Sequence, residues 1–326
     1  NMVYSKKSFE EETGIAKDIK RLLNASDSHI SEIDKFIEEY EQTNFELADS
    51  QKAAIHGVFD HQVEIITGGP GTGKTTVTKA VLSVHKQVFG DDSNPVLLAP
   101  TGRAARRMSE ATGVTAHTIH SAIGYTGVPE LDDRDGDFLD GNLFIIDESS
   151  MMDQFIASKL LSMIPSGAKA VFVGDPDQLP SVGAGNVLRE MIRSKSVPTT
   201  KLNVIFRQAQ DNPIVGNSLK INQGNTSLDF KNTFCFVERD TAEETFRTAC
   251  SYYLKAVKKF GLDNVILLNP YRTKGLLCVN EFNRQLQHLV NPPVEEEESI
   301  KIRNIEYRPR DLVMQTKNTE IAMNGD

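Results

Sequence analysis

The stretch Gly68-Gly69-Pro70-Gly71-Thr72-Gly73-Lys74-Thr75 decides the fold of this chain. It fits the pattern G-x-x-x-x-G-K-[ST], and it stands between an apolar run, Val63–Thr67, and a segment of helical periodicity, residues 73–89. Glycines let backbone N–H groups converge on a dense anion, and the following helix adds the positive end of its dipole. The stretch therefore predicts a polyphosphate-binding loop between a strand and a helix, with a glycine-rich turn that binds nothing as the alternative.

Other apolar runs alternate with helical segments along the chain. Strands are predicted at Val63–Thr67, Val96–Ala99, Leu143–Asp147, Ala170–Gly174 and Val265–Asn269. Helices are predicted at 8–23, 30–42, 49–59, 73–89, 102–111, 153–163, 185–194, 241–260 and 273–290. Buried parallel strands separated by helices are typical of an α/β fold with right-handed crossovers. We expect a helical N-terminal segment (1–47), a first domain (48–198) and a second domain (199–326).

The composition is that of a folded protein without a strong polyelectrolyte character. The 326 residues include 36 Lys and Arg against 45 Asp and Glu, a net charge of −9. A passive DNA-binding protein is normally basic, so the composition argues against that class. No apolar stretch approaches the roughly 18 residues of a membrane span, and no signal peptide is visible. The three cysteines show neither disulfide nor zinc spacing, so we expect a cytoplasmic protein without a membrane partner.

Polar side chains follow two further predicted strands. Asp147 and Glu148 end the run Leu143–Asp147, and Gln178 follows Ala170–Gly174 in the turn Asp175-Pro176-Asp177-Gln178. Next to a phosphate loop, Asp147 would support Mg²⁺ together with Thr75, Glu148 would polarise the attacking water, and Gln178 would sense the γ-phosphate. Lys74 would bridge the β- and γ-phosphates. Solvated acids at a strand end and a plain Asp-Pro turn are the alternatives.

Five sequence blocks in a fixed order carry a resemblance to a known family. The blocks are GGPGTGKTT, APTGRAARRM, IIDESSMMD, VGDPDQLPSVGAGNVL and IFRQA, and the match covers Gln51–Arg207. The chain resembles superfamily 1 DNA helicases of the RecD/TraA type, the exodeoxyribonuclease V alpha-subunit family. The resemblance continues weakly through residues 267–272 and 311–318. It implies a phosphate-loop NTPase fold with RecA-like parallel sheets and flanking helices, in two tandem domains of which the second is incomplete.

The resemblance implies a role for each matching residue at an ATP and Mg²⁺ site. Gln51 corresponds to the glutamine that reads adenine, although on its own it would be a polar residue on an exposed helix face. Arg207 corresponds to an arginine that reaches the γ-phosphate, and a surface ion pair is its alternative. The catalytic set is Lys74, Glu148, Gln178 and Arg207. The nucleotide-binding set is Gln51, Gly69, Gly71, Thr72, Gly73, Lys74, Thr75, Thr76 and Asp147. Thr75 and Asp147 hold the Mg²⁺, the latter directly or through water.

The segments Pro100–Arg103 and Thr115–His120 correspond to those that hold single-stranded DNA. The implied DNA-binding residues are Thr101, Gly102, Arg103, Thr118 and His120. A solvated helix face is the alternative for Arg103, Arg106 and Arg107. For His117 and His120, DNA contact and a satisfied core position remain equally open.

The resemblance implies an ATP-dependent DNA helicase that moves 5′ to 3′ on single-stranded DNA in recombination or repair. Its expected partners are single-stranded DNA, duplex DNA with a single-stranded tail, and subunits of a recombination complex, whereas its oligomeric state is open. The alternatives are a translocase that does not unwind and an inert DNA-binding subunit with a vestigial ATP site. Two departures qualify the match: Arg310 replaces a glycine, and the family's last two motifs, which follow Asn324-Gly325-Asp326, are missing. We therefore expect a piece of a longer protein, which binds ATP but is weak as an enzyme.

Overall fold

The computed structural model describes residues 5–25, 30, 32–126, 137–204, 212–231, 233–294, 298–303 and 305–313. The chain forms two compact units, residues 1–234 and 235–326. Among its described residues, the first unit has the helices α1 Lys6–Leu23, α2 Ile33–Thr43, α3 Asp49–Asp60, α4 Lys74–Phe89, α5 Gly102–Thr112, α6 Ile119–Ala122, α7 Gln154–Met163, α8 Val187–Ser194 and α9 Pro213–Asn222. Its strands are β1 Val63–Thr67, β2 Pro95–Ala99, β3 Ala116–Thr118, β4 Leu143–Ile146, β5 Lys169–Gly174 and β6 Thr199–Lys201.

The six strands form one parallel sheet in the order β3-β2-β4-β5-β1-β6. Four of the five predicted strands are confirmed to within one residue at each end, and so is the α/β class. β3 and β6 were not predicted, since each has only three residues and pairs at an edge of the sheet. The predicted boundary between the first and second domains, at 198/199, would cut this sheet, because residues 199–201 pair with β1. Along the chain, the two compact units divide between residues 234 and 235.

Both faces of the sheet are buried, and alternate residues of a strand serve opposite faces. In β4, Phe144 and Ile146 enter one core cluster, whereas Leu143 and Ile145 enter the other. The two N-terminal helices cover opposite faces. α1 packs on α7 so closely that a Cβ at Gly14 would lie 3.2 Å from the Ser158 hydroxyl, and α2 joins the cluster formed with α3 and α4. α1 and α2 therefore contribute to the core of the first unit.

The second unit contains α10 (Ala242–Phe260), α11 (Val279–Val290) and an antiparallel pair, β7 (Ile300–Ile302) and β8 (Ile305–Tyr307). α10 and α11 pack through Cys250, Phe282 and Leu286, and the rings of Phe246 and Phe282 stack with their centroids 4.6 Å apart. The predicted strand Val265–Asn269 is wrong: the segment is irregular, and the side chains of Ile266 and Leu268 are exposed. A strand requires a hydrogen-bonding neighbour, and no described residue of this unit pairs with it.

The predicted helix 273–290 begins only at Val279, and Gly275, four residues earlier, has a left-handed backbone conformation that a helix does not contain. No helix in the described ranges combines the length and the apolar character needed to cross a bilayer.

Candidate nucleotide site at the carboxyl ends of the strands

The phosphate loop connects β1 to α4 through a backbone that glycine alone adopts readily. Gly71 and Gly73 have φ values of 77° and 84°, in the left-handed region. Gly73 is also the N-cap of α4, and no side chain caps that helix. The first N–H groups of α4 therefore keep their capacity to bind an anion, which is the requirement of a polyphosphate site.

The two glycines that open the loop have different surroundings. A Cβ at Gly68 would lie 2.5 Å from the Thr72 hydroxyl oxygen and 3.0 Å from Cβ of Leu202, which follows β6. A Cβ at Gly69 would meet no atom within 4 Å. Gly68 is therefore required by close packing inside the protein, whereas Gly69 borders open space where a ligand can approach the backbone.

Lys74 folds back over the loop that precedes it. Its Nζ donates hydrogen bonds to the carbonyl oxygens of Gly68 (2.6 Å) and Gly69 (3.2 Å), and no carboxylate of the described residues forms an ion pair with it. The Thr72 hydroxyl also donates to the Gly69 carbonyl, at 2.8 Å. The ammonium charge thus remains available to an anion that enters above Gly69. Thr75 is exposed and Thr76 is half-buried next to it.

Two acidic residues, Asp147 and Glu148, follow the end of β4 beside this loop. The Asp147 N–H donates to the Leu98 carbonyl (2.9 Å), and Asp147 Oδ1 accepts the N–H of Glu148 (2.9 Å). Burial raises the pKa of Asp147, against the opposing effects of the Glu148 N–H and the positive charge of Lys74. Asp147 is therefore fixed by its backbone contacts, and it feels the charge of the phosphate-loop lysine.

Glu148 is held in an unfavourable state. Its φ is 50°, a left-handed conformation that costs energy for a residue with a Cβ. Its Oε2 is buried without a hydrogen-bond partner among the described residues. Burial and the neighbouring Asp147 raise its pKa, whereas the charges of Lys74 and Arg107 lower it. Backbone strain combined with an unpartnered carboxylate oxygen is typical of a reactive site.

The turn after β5 brings Gln178 to the same edge of the sheet. Asp175 is buried, and its Oδ1 and carbonyl oxygen accept the N–H groups of Asp177 (3.0 Å) and Gln178 (3.1 Å). A Cβ at Gly174 would lie 2.8 Å from the Ser149 hydroxyl oxygen, so the ends of β4 and β5 fit together closely. Residues 175–178 form a turn, and the side chain of Gln178 is exposed.

One cleft of about 410 Å³ unites these elements. Thr75, Asp147, Glu148 and Gln178 all line it, so the structure brings together residues from the phosphate loop and two strand ends. The residues predicted for DNA are partly in the same place, because Thr101, Arg103 and Arg107 also line this cleft. Arg106 differs from them, since it pairs with Glu110 at 2.8 Å.

The two threonines predicted to contact DNA are helix caps. The Thr101 hydroxyl accepts the N–H of Ala104 at the start of α5 (3.2 Å), and the Thr118 hydroxyl accepts that of Ser121 at the start of α6 (3.1 Å). A hydroxyl that accepts a hydrogen bond can still donate one, so capping leaves the donor free. Gly102 begins α5 and is exposed.

The two histidines of the segment predicted to bind DNA have different environments. His117 is exposed, and the ring of half-buried His120 packs edge-on against Tyr125, with 5.1 Å between the centroids.

Gln51 lies in the first turn of α3 and is only 1% exposed, which excludes an exposed helix face. Its Oε1 accepts the N–H of Ala48 at 3.0 Å, and its Nε2 has no hydrogen-bond partner among the described residues. A buried amide with one satisfied end suits a residue that recognises a ligand. Sequence reasoning missed two residues that support these elements, Leu202 behind the phosphate loop and Glu41 beside α3. Leu202 contacts a segment far away in the chain, and the contacts of Glu41 cross the irregular connection between α2 and α3, so neither contact leaves a periodic signal.

The residues present fit a magnesium–nucleotide complex. Within the described ranges, no three His, Cys, Asp or Glu side chains converge as a metal site. Mg²⁺ is usually bound by one or two protein oxygens together with phosphate and water, so Thr75 and Asp147 would suffice when a nucleotide is present. The predicted Arg207 lies outside the described residues, as do residues 314–318 of the weaker resemblance.

Comparisons with known proteins agree with this geometry. The family described as AAA domain matches residues 46–239. The ATP-dependent RecD2 DNA helicase of Deinococcus radiodurans is 36% identical over 83% of this chain, and the RecBCD enzyme subunit RecD of Haemophilus influenzae is 29% identical over 60%. These alignments cover 36% and 34% of the two relatives, so the chain spans about a third of their length.

The crystal structure of Pif1 helicase from Candida albicans has a TM-score of 0.46 and 19% identity, over 78% of this chain and 56% of that one. The phosphate loop, both carboxylates and Gln178 all lie inside the matched residues 46–239. The chain therefore belongs to the AAA-domain family, and it is similar to RecD2 and RecD proteins.

Proposed function

We propose that this chain is the motor core of an ATP-dependent DNA helicase, which couples ATP hydrolysis to movement along single-stranded DNA and to duplex unwinding. The observation that carries the proposal is the cleft in which Thr75, Asp147, Glu148 and Gln178 meet beside the phosphate loop. The name of the Deinococcus relative, an ATP-dependent DNA helicase, supports the same activity.

In this proposal the polyphosphate of ATP lies on the N–H groups of the loop and of the first turn of α4. Gly69, Gly71, Thr72, Gly73 and Thr76 contribute to this cradle. Lys74 exchanges its two carbonyl contacts for β- and γ-phosphate oxygens, because no described carboxylate forms an ion pair with its ammonium group. Gln51 recognises the adenine through the amide that is only half satisfied in the protein.

Hydrolysis needs a base and groups that respond to charge on the γ-phosphate. Mg²⁺, held by Thr75 and by Asp147 directly or through water, would neutralise phosphate charge when bound. Glu148 accepts the proton of the attacking water through its unpartnered carboxylate oxygen. Gln178 orients that water or the γ-phosphate, and Arg207 contributes a guanidinium to the phosphate oxygens.

Single-stranded DNA would contact Thr101, Gly102, Arg103, Thr118 and His120. Both threonine hydroxyls can donate to phosphate oxygens while they accept their capping N–H groups. Because Arg103 shares the cleft with Glu148, DNA binding and hydrolysis would influence each other across α5. The proposal extends to 5′-to-3′ movement, to single-stranded and tailed duplex DNA as substrates, and to a cytoplasmic role in recombination or repair with partner subunits. It also extends to the second unit as part of a second RecA-like domain.

ATP binding and turnover of Lys74→Ala test the proposal. Lys79→Ala is the matched control, because Lys79 is an exposed lysine on the same helix. We expect Lys74→Ala to abolish turnover stimulated by single-stranded DNA while the far-UV circular dichroism spectrum is unchanged, and Lys79→Ala to behave as wild type. Turnover by Lys74→Ala at the wild-type rate would refute the site.

Unwinding of a tailed duplex and displacement of a bound protein from single-stranded DNA separate the remaining classes. Displacement without unwinding indicates a translocase, whereas DNA binding without any turnover indicates an inert subunit.

A further inference from the structure

One carboxylate of the N-terminal segment binds residues on both sides of the start of α3. Glu41, in the last turn of α2, accepts the N–H of Leu47 through Oε1 (2.6 Å) and the ammonium of Lys52 through Oε2 (2.9 Å). Its side chain is only 17% exposed. Hydrogen bonds from Leu47 and Lys52 lower the pKa of Glu41, so it is a carboxylate at neutral pH. Both partners flank Gln51, one of them four residues before it and the other directly after it.

The orientation of the Gln51 amide follows from the same backbone. Leu47 and Ala48 are consecutive, and their N–H groups are bound by the side chains of Glu41 and Gln51 respectively. The Ala48 N–H can only donate, so the amide oxygen of Gln51 must face it and Nε2 must face away. Oε1 keeps a second lone pair, and Nε2 has no partner among the described residues. The bond between Glu41 and Leu47 therefore anchors the residue next to Ala48, whose N–H orients the Gln51 amide.

This orientation discriminates between purines. An amide with one free acceptor site and one free donor matches N6–H and N7 of adenine, whereas guanine presents O6 and N7, which are both acceptors. If the amide turned over, its NH₂ group would oppose the Ala48 N–H, and the adenine match would be lost. The preference for adenine thus depends on a fixed Leu47–Ala48 backbone.

We propose that Glu41 is a positioning residue for base recognition: its bonds to Leu47 and Lys52 fix the backbone that orients Gln51, so that α2 sets the preference for adenine over guanine nucleotides. This inference rests on the proposed role of Gln51 in ATP binding. It gives the N-terminal segment a role in substrate choice that is separate from its contribution to the core. We expect Glu41 to leave the phosphate loop unaffected, since that loop binds the triphosphate that ATP and GTP share.

The test is the ratio of ATP to GTP affinity, measured by competition against a fluorescent nucleotide in the whole chain, together with the melting temperature. Glu41→Ala removes both anchors, and we expect the ratio to fall about fivefold, the effect of losing about one hydrogen bond. Glu41→Gln keeps an acceptor for Leu47, so its ratio should stay within about twofold of wild type. Glu38→Ala removes an exposed carboxylate from the same helix and should change nothing.

The outcomes separate this inference from the proposed function. If Gln51→Ala lowers the ratio but Glu41→Ala lowers only the melting temperature, Glu41 is merely structural and the inference is refuted. If Gln51→Ala leaves the ratio unchanged, base recognition by Gln51 fails, although the phosphate site tested by Lys74→Ala can still stand. Should Glu41→Ala not fold, Glu41→Asp keeps the charge on a side chain too short to reach both anchors. An unchanged ratio in folded Glu41→Asp would then overturn the inference.

Discussion

A buried carboxyl group on the strand that leads into the phosphate loop makes the stability of this protein depend on pH. Glu64 in β1 is 1% exposed. Its Oε1 accepts the hydroxyl of Thr200 on β6 (2.7 Å), and a Cβ at Gly57 would lie 2.8 Å from that oxygen, so α3 closes over the carboxyl group. Burial raises the pKa of Glu64 to about 7, with a smaller contribution from the charge of Asp60 and against the hydrogen bonds from Thr200.

The magnitude follows from the difference between this pKa and the ordinary value of 4.5. At about 1.4 kcal/mol for each pH unit, the difference corresponds to about 3 kcal/mol of unfolding free energy. Because the folded-state pKa is raised, the protonated group stabilises the fold fully below pH 4.5. That contribution is lost as the pH rises through about 7. Glu64→Gln stays neutral and lacks this loss, so we expect it to be more stable than wild type at pH 8 by up to about 3 kcal/mol.

Urea unfolding followed by circular dichroism at pH 5 and pH 8 measures the effect. The advantage of Glu64→Gln should be large at pH 8 and should shrink to below about 1 kcal/mol at pH 5. Glu12→Gln, at an exposed position of α1, is the control and should change neither value. A difference between Glu64→Gln and wild type that is the same at both pH values would refute the reasoning, since it would mean that Glu64 titrates as an ordinary carboxylate.

Three further predictions concern the cleft. Glu148→Gln should bind ATP with wild-type affinity but hydrolyse it at least about 100-fold more slowly, because the water loses its base; a loss of binding in a nucleotide titration would make Glu148 structural. Gly68→Ala should be less stable than wild type in urea unfolding, since its methyl group would collide with Thr72 and Leu202, whereas Gly69→Ala meets no protein atom within 4 Å and should keep its stability; equal stabilities for the two variants would contradict the packing argument. Arg103→Ala should weaken binding of single-stranded DNA equally for all sequences and lower the slope of log affinity against log salt concentration by about one. Arg106→Ala should change neither, because Arg106 pairs with Glu110. If Arg103→Ala lowers ATP affinity instead, Arg103 binds the nucleotide.

The local elements around the phosphate loop could be predicted because their causes are local. A short, continuous apolar run such as Leu143–Ile146 is typical of a strand that is buried on both faces. The observed strand ends one residue before the predicted end, Asp147. Gly71 and Gly73 are required by a backbone conformation that involves only their own neighbours. The phosphate loop, the two acids and Gln178 each follow a strand, and the carboxyl ends of parallel strands share one edge of a sheet, so the sequence predicts that these residues lie close together. Thr75, Asp147, Glu148 and Gln178 indeed line one cleft.

The remaining features depended on contacts between segments far apart in the chain. The strand β6 forms because Thr199–Lys201 pairs with β1, whereas Val265–Asn269, with a stronger strand pattern, has no strand partner among the described residues and is irregular. Gln51 is buried at the start of α3, and the pKa of Glu64 is raised by burial beneath α3, where Gly57 lies against its carboxyl group. Sequence periodicity reports which residues avoid water, but it carries no information about which distant group a buried polar atom will meet. The tertiary structure alone decided those partners.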